Sequence, residues 1–382
     1  MTTLIGIFLL AVPLAFYASY TITVRTLSRK KKPIYEPTTN FTPFISVVIP
    51  TYNEMKMIER RLQNFDELQY PKDRFEAIFV DGASTDGTPE LIERSREEGR
   101  PYIRLVRQPS RQGYNSAIFE GVSEAKADIV AVGEVGGIWH QKALSLAVRG
   151  LAQPRIGVVT GRSVIYNPDE SLATRLEAAY RLAHDSLRYA ESAIDTTPDM
   201  KGELLLFRKE IGIRLKPGET LSDNTSFDMA ISYKARTMGW RAVLDPEVVF
   251  YEYAPTIMRE RMVVQIRRAT TFAGAIWNYK SVILNRKLGY FGMLIAPSRL
   301  LMLVVFPWVL TVATFILAAE LFSNPLIGLV MLGLVAAPLL LKKTRYVFLS
   351  FLLSQVVLVI ATLRLLFRRH TQMIQTVSTA RR

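Results

Sequence analysis

The 382-residue chain contains no cysteine and only three histidines. The first absence excludes disulfides and thiolate metal sites. The histidines, His140, His184 and His370, stand far apart, which argues against an imidazole metal centre. Acidic residues are scarce relative to basic ones, 34 against 48, giving a net charge of +14. So basic a chain is drawn to anionic surfaces and anionic substrates. Much of the excess lies beside apolar stretches, at Arg25, Arg29 to Lys32, Lys342 to Arg345, Arg368 and Arg369. That placement suits lipid headgroups. No zinc-finger spacing or RNA-binding signature accompanies the charge, so nucleic acid is not an expected partner. Internal repeats and low-complexity tracts are missing as well.

Apolar residues make up 49% of the chain and are unevenly spread. Residues 1–24 are apolar over a length that spans a bilayer. Basic residues follow this stretch rather than precede it, the reverse of a cleaved signal peptide. The same order puts the basic flank in the cytoplasm. Residues 25–43 read as a basic linker with Pro33, Pro37 and Pro43. Residues 44–255 read as a globular α/β domain with strands at 45–49, 77–80, 103–106, 129–132 and 157–161. Ile58, Leu62, Phe65 and Leu68 recur at helical spacing between the first two strands. Thr88 before Pro89 predicts a helix N-cap. Strands alternating with helices imply a mostly parallel sheet. Residues 256–289 mix cations with large apolar side chains, as amphipathic interfacial helices do. Residues 290–367 read as a transmembrane region of about three helices, at 299–322, 325–341 and 346–367. A basic tail, 368–382, closes the chain.

Two strands run into polar turns. The first ends in Pro50-Thr51-Tyr52-Asn53-Glu54, the second in Asp81-Gly82-Ala83-Ser84. Ligands of open parallel sheets bind outside such carboxyl ends. Read alone, Asp81, Ser84 and Asp86 serve equally well as caps of the next helix.

Together these turns resemble the nucleotide-sugar-binding half of family 2 glycosyltransferases, enzymes of the GT-A (Rossmann-like) fold. The resemblance covers roughly residues 44–275. It implies that Pro50, Thr51, Tyr52, Glu54 and Asp81 contact a nucleotide sugar, with Arg111 of Arg111-Gln112-Gly113-Tyr114-Asn115 reaching the nucleotide or its diphosphate. Where the family carries Asp-x-Asp for a divalent metal, this chain has Glu134-Val135-Gly136. Glu134 is then the one motif carboxylate left for Mg²⁺ or Mn²⁺, and neutralisation of the diphosphate by Arg and Lys without metal is the alternative. Gly202 falls in the acceptor-loop segment. Asp228 matches the aspartate of the family's Glu-Asp motif, the base that accepts the acceptor's proton; helix capping is its plainer role, and Asp223 is the alternative base. Gln265 and Arg268 match Gln-x-x-Arg-Trp and would meet the diphosphate or acceptor, with Ala269 in place of tryptophan.

The resemblance thus implies an inverting glycosyltransferase in the cell membrane. It would move a sugar from a UDP- or GDP-linked donor to a membrane-associated, lipid-linked acceptor on the cytoplasmic face. A processive polysaccharide synthase and a catalytically silent nucleotide-sugar-binding scaffold remain alternatives.

Overall fold

A computed structural model describes residues 1–30, 41–222, 224–321, 333, 338–341 and 344–367. Most of the linker, Asp223, most of 325–341, His370 and the tail lie outside the described residues.

The domain begins with β1 (Ile45–Thr51), α2 (Met55–Glu67) and β2 (Phe75–Asp81), preceded by the long helix α1 (Thr2–Arg29). Both strands are buried almost throughout. Strands covered on both faces need continuous β-branched and aromatic runs rather than alternation. α2 turns Met57, Ile58, Leu62 and Phe65 inward, as their spacing predicts. Then come α3 (Thr88–Glu97), β3 (Ile103–Arg107), α4 (Tyr114–Glu124) and β4 (Ile129–Gly133). α4 lies so close to β1 that a Cβ on Gly121 would sit 2.3 Å from a Val48 methyl. The second half adds β5 (Ile138–Trp139), α5 (Ala143–Leu151), β6 (Ile156–Ile165), α6 (Leu172–Ile194), β7 (Leu204–Arg208), α7 (Lys209–Gly212), α8 (Phe227–Thr237), β8 (Arg241–Glu252) and α9 (Met258–Asn278).

One sheet carries all these strands, in the order β3-β2-β1-β4-β7-β6-β8-β5. β7 runs antiparallel to both neighbours, whereas β1, β2, β3 and β4 are mutually parallel. All five strands read from the sequence are present, each somewhat longer than expected. β8, which contains Asp245-Pro246, was not among the strands expected. The strand passes through it by a bulge: Thr160 pairs with Leu244 and Arg162 with Val249, so residues 245–248 leave the ladder. A bulge is where a sheet tolerates proline.

Thr51 and Asp81 are register partners, so the two turns start level. Four hydrogen bonds then tie them together. Asn53 and Met55 donate backbone N–H groups to Ser84 Oγ (2.9 Å) and Asp86 Oδ2 (3.0 Å), and Glu54 N–H donates to Thr88 Oγ1 (2.9 Å). Thr85 N–H donates to Asn53 Oδ1 (2.9 Å). Thr88 is therefore not the N-cap expected. Gly87, with φ of 91°, takes that place, and the Thr88 hydroxyl serves the latch.

Among the described residues, three helices are long and apolar enough to cross a membrane: α1, α10 (Phe291–Glu320) and α11 (Arg345–Leu366). α1 continues past residue 24 through the basic residues to Arg29. Residues 256–289, expected as amphipathic interfacial helices, form α9 followed by short turns, and α9 is a wall of the cavity. Its Ile266 and Ala269 pack against Val357, Leu358 and Ala361 of α11. Tyr20 and Val24 of α1 pack against Ala190 and Ile194 of α6. Arg299 of α10 grips Glu191 of α6 with two hydrogen bonds, 2.9 and 2.8 Å. The apolar helices are thereby joined to the domain at the same elements that bound the cavity.

Candidate active site

A cavity of about 220 Å³ opens between the β1 and β2 turns on one side and β7, β8 and α9 on the other. Pro50, Thr51, Tyr52 and Glu54 line it, as do Arg111, Glu134 and Arg268. The Arg111 guanidinium lies 3.8 Å from the centre of the Tyr52 ring. Stacking of this kind fixes a planar cation without using its hydrogen-bonding edge.

Asp81 behaves differently. It is 2% exposed and absent from the cavity wall. Its carboxylate accepts from Ser84 N–H at 2.9 Å and from the Ser84 hydroxyl. In this structure it holds the turn, the plainer of its two sequence readings.

Glu134 stands at the end of β4. Its backbone carbonyl accepts from the buried Arg61 guanidinium at 2.6 Å. Arg61 also donates to Asn64 Oδ1 and lies over the Trp139 ring, and the Trp139 indole N–H donates to the Glu203 carbonyl at 2.7 Å. Burial, with the neighbouring Glu203 charge, pushes the Glu134 carboxyl up to about 7. A Cβ on Gly136 would meet nothing within 4 Å, so space exists where a second acid would stand. Among the described residues, no group of three or more acids or histidines could hold a metal. A divalent ion taking most of its oxygens from phosphates and water still fits one carboxylate that is in no ion pair among the described residues.

Asp228 opens α8. Two hydrogen bonds clamp that helix start to the start of α4: Asn115 Nδ2 donates to the Thr225 carbonyl (2.8 Å), and Phe227 N–H donates to Asn115 Oδ1 (3.1 Å). Burial pushes the Asp228 carboxyl up to about 6, with Glu203 and Asp199 adding repulsion. Gly202 lies directly opposite. A Cβ there would fall 3.0 Å from the Tyr114 hydroxyl and 3.6 Å from Asp228 Oδ2. A side chain at 202 would crowd that hydroxyl.

Gln265 and Arg268 are brought together but face a partner already in place. Gln265 Nε2 donates to Glu177 Oε2 at 2.6 Å, and Arg268 donates to Glu203 Oε1 at 3.0 Å. They belong to a buried ionic network. Arg181 meets Glu177 and Glu252 at 3.0 Å each, and Arg261 meets Glu177 at 3.2 Å. Burial opposes ionisation of Glu203, yet Arg268 and Arg181 hold it below the usual range. Glu177, Arg181, Glu203, Glu252 and Arg261 were not marked as site residues in the sequence. Their spacing shows only that Glu177 and Arg181 share a helix face. The bonds that join α6 to β8 and to α9, and β7 to α9, span 65 to 91 positions, beyond any local pattern.

This arrangement, with its parallel half-sheet and latched turns, is that of a nucleotide-sugar transferase fold. Residues 46–214 match the model of glycosyl transferase family 2. The mannosyltransferase PcManGT from Pyrobaculum calidifontis, solved in complex with GDP-Man and Mn²⁺, superposes with a TM-score of 0.81. It is 28% identical and covers 97% of this chain and 100% of that structure. The probable glycosyltransferase YdaM of Bacillus subtilis (strain 168) is 31% identical over 137 residues, 35% of this chain and 32% of that protein. A dolichyl N-acetyl-alpha-D-glucosaminyl phosphate 3-beta-D-2,3-diacetamido-2,3-dideoxy-beta-D-glucuronosyltransferase of Methanococcus voltae is 34% identical over 90 residues, 23% of this chain and 28% of that protein. The chain thus spans less than a third of the length of either curated relative. These matches make the segment 46–214 a glycosyl transferase family 2 domain, and its fold is GT-A.

Proposed function

We propose that this protein is an inverting glycosyltransferase. It moves a sugar from a nucleoside diphosphate sugar to a lipid-linked acceptor at the cytoplasmic face of a membrane. The observation that carries the reading is the cavity itself. Latched nucleotide-type turns form one wall, and the other wall is α9, whose far side packs on an apolar helix. An acceptor held in the bilayer can reach such a site without leaving the lipid.

Thr51, Tyr52, Glu54 and Arg111 would seat the donor. The acceptor oxygen attacks the anomeric carbon from the face opposite the diphosphate. As that bond forms, the bond to the diphosphate oxygen breaks and the nucleoside diphosphate leaves with its electron pair. Asp228 takes the acceptor's proton, a task suited to a carboxyl poised near 6. Glu134 would hold Mg²⁺ or Mn²⁺ together with the donor phosphates. Such an ion supplies neutralisation of the charge growing on the leaving diphosphate. The Mn²⁺ and GDP-Man of the similar mannosyltransferase support a metal and a GDP-linked donor here.

Ala269 favours transfer of single sugars over processive synthesis. It sits in the apolar cluster with Val357 and Leu358, away from the cavity wall. The order of α1, with Arg25 and Arg29 after its apolar stretch, supports a cytoplasmic domain.

The test is sugar transfer from GDP-mannose and UDP-glucose to hydroxyl-bearing lipid acceptors, diacylglycerol and prenyl-linked saccharides, in membranes carrying the full chain. Asp228→Asn is expected to abolish transfer and spare nucleotide binding. Undiminished transfer by that variant would remove Asp228 from the mechanism.

A further inference from the structure

Two polar groups on the cavity wall stand outside the ionic network. The Tyr114 phenol oxygen is buried and has no hydrogen-bond partner. Arg267 also lines the cavity, and among the described residues it makes no ion pair, in contrast to Arg268 beside it. An unmet buried hydroxyl costs about 1–3 kcal/mol. A ligand that accepts its hydrogen bond would remove that cost.

The surroundings say what kind of ligand. Tyr114 is the first residue of α4, an 11-residue helix with no side-chain cap at its start. Free backbone N–H groups at a helix start attract anions. Glu134, Asp228 and Glu203 surround the phenol and, after burial, keep it protonated. It therefore stays an O–H donor. Arg267 faces the same Glu134 and Glu203 and interacts with Tyr114 itself. Gly202 packs close to the Tyr114 hydroxyl and to Asp228 Oδ2, which places Asp228 beside the phenol. Tyr114, Arg267 and the helix start at Gly113 thus border one cavity.

We infer that Tyr114 and Arg267 form a subsite for a phosphate oxyanion beside Asp228. The role rests on the transferase reading above, since both substrates of that reaction carry phosphate. It differs from the sequence expectation by one residue. Gln265 and Arg268 are committed to Glu177 and Glu203. The guanidinium that turns to the substrate is Arg267.

The phosphate could belong to the donor diphosphate or to a lipid phosphate, and binding alone tells them apart. The full chain in detergent is titrated with three probes: GDP in the presence of Mn²⁺, farnesyl phosphate, and uncharged farnesol. Wild type is compared with Tyr114→Phe and Arg267→Gln. Each variant should weaken at least one phosphate probe about tenfold, on the scale of one charge-assisted hydrogen bond, and leave farnesol unchanged. Loss confined to GDP assigns the subsite to the donor; loss confined to farnesyl phosphate assigns it to the acceptor. If both phosphate probes bind the folded variants as well as wild type, the inference is wrong. Should Tyr114→Phe fail to fold, Arg267→Lys carries the test, since it keeps the charge and loses the paired donors. No sugar transfer is read in these titrations. A wild type that binds phosphate but never transfers sugar would therefore count against the proposed function and not against this subsite.

Discussion

In residues 45–107 the site is held by short bonds between two turns about thirty positions apart, made by hydroxyls, amides and one exposed-side carboxylate. In residues 172–268 it is held by ion pairs, of which Arg268–Glu203, Arg181–Glu252, Arg261–Glu177 and Arg268–Glu177 span 65 to 91 positions. The first kind of joint loses one modest hydrogen bond when a side chain is removed. The second leaves an uncompensated charge in the interior. The wall of the β1 and β2 turns should therefore tolerate change that the wall of α6, β7, β8 and α9 does not.

The sharpest way to break this comparison is Glu177→Gln. That carboxylate faces Arg181, Arg261 and Arg268 and accepts from Gln265. Loss of stability on the order of 3–5 kcal/mol is expected, read by denaturant unfolding of the full chain in detergent. A loss no greater than that of a latch mutant would erase the distinction between the walls. Next comes Asp228→Asn, which should lower turnover at least about a hundredfold with nucleotide affinity retained. A smaller effect is expected from pH. Asp228 sits near Glu203, Asp199 and Tyr114, and burial raises it to about 6. A base acts only when deprotonated, so turnover should climb with pH through about 6 and stand about tenfold lower one unit below. Asp228→Asn should lose that limb. A comparable loss, about tenfold, is expected for Gly202→Ala through misplaced substrate, with unfolding unchanged, because the new methyl would crowd the Tyr114 hydroxyl. Smallest is Asp86→Ala in the latch, at about 1 kcal/mol of stability.

The legible parts of this fold were those with local signals. Val47 to Ile49 and Ile78 to Val80 are apolar runs too short for helices and buried on both faces. Polar turns at their carboxyl ends marked where a ligand would lie. The same local logic misled at Thr88, where a capping residue serves a bond to Glu54 instead. Asp81 was read for two roles, and its neighbour Ser84 takes up both carboxylate oxygens.

Sequence by itself determined the sheet's parallel half, the family and the presence of apolar spans, because periodicity and short motifs are properties of neighbours along the chain. Which arginine is held in ion pairs was decided only in three dimensions. Arg267 and Arg268 are adjacent in sequence, chemically identical, and both line the cavity. Glu203 and Glu177, brought in from distant segments, pair with Arg268, while Arg267 makes no ion pair among the described residues.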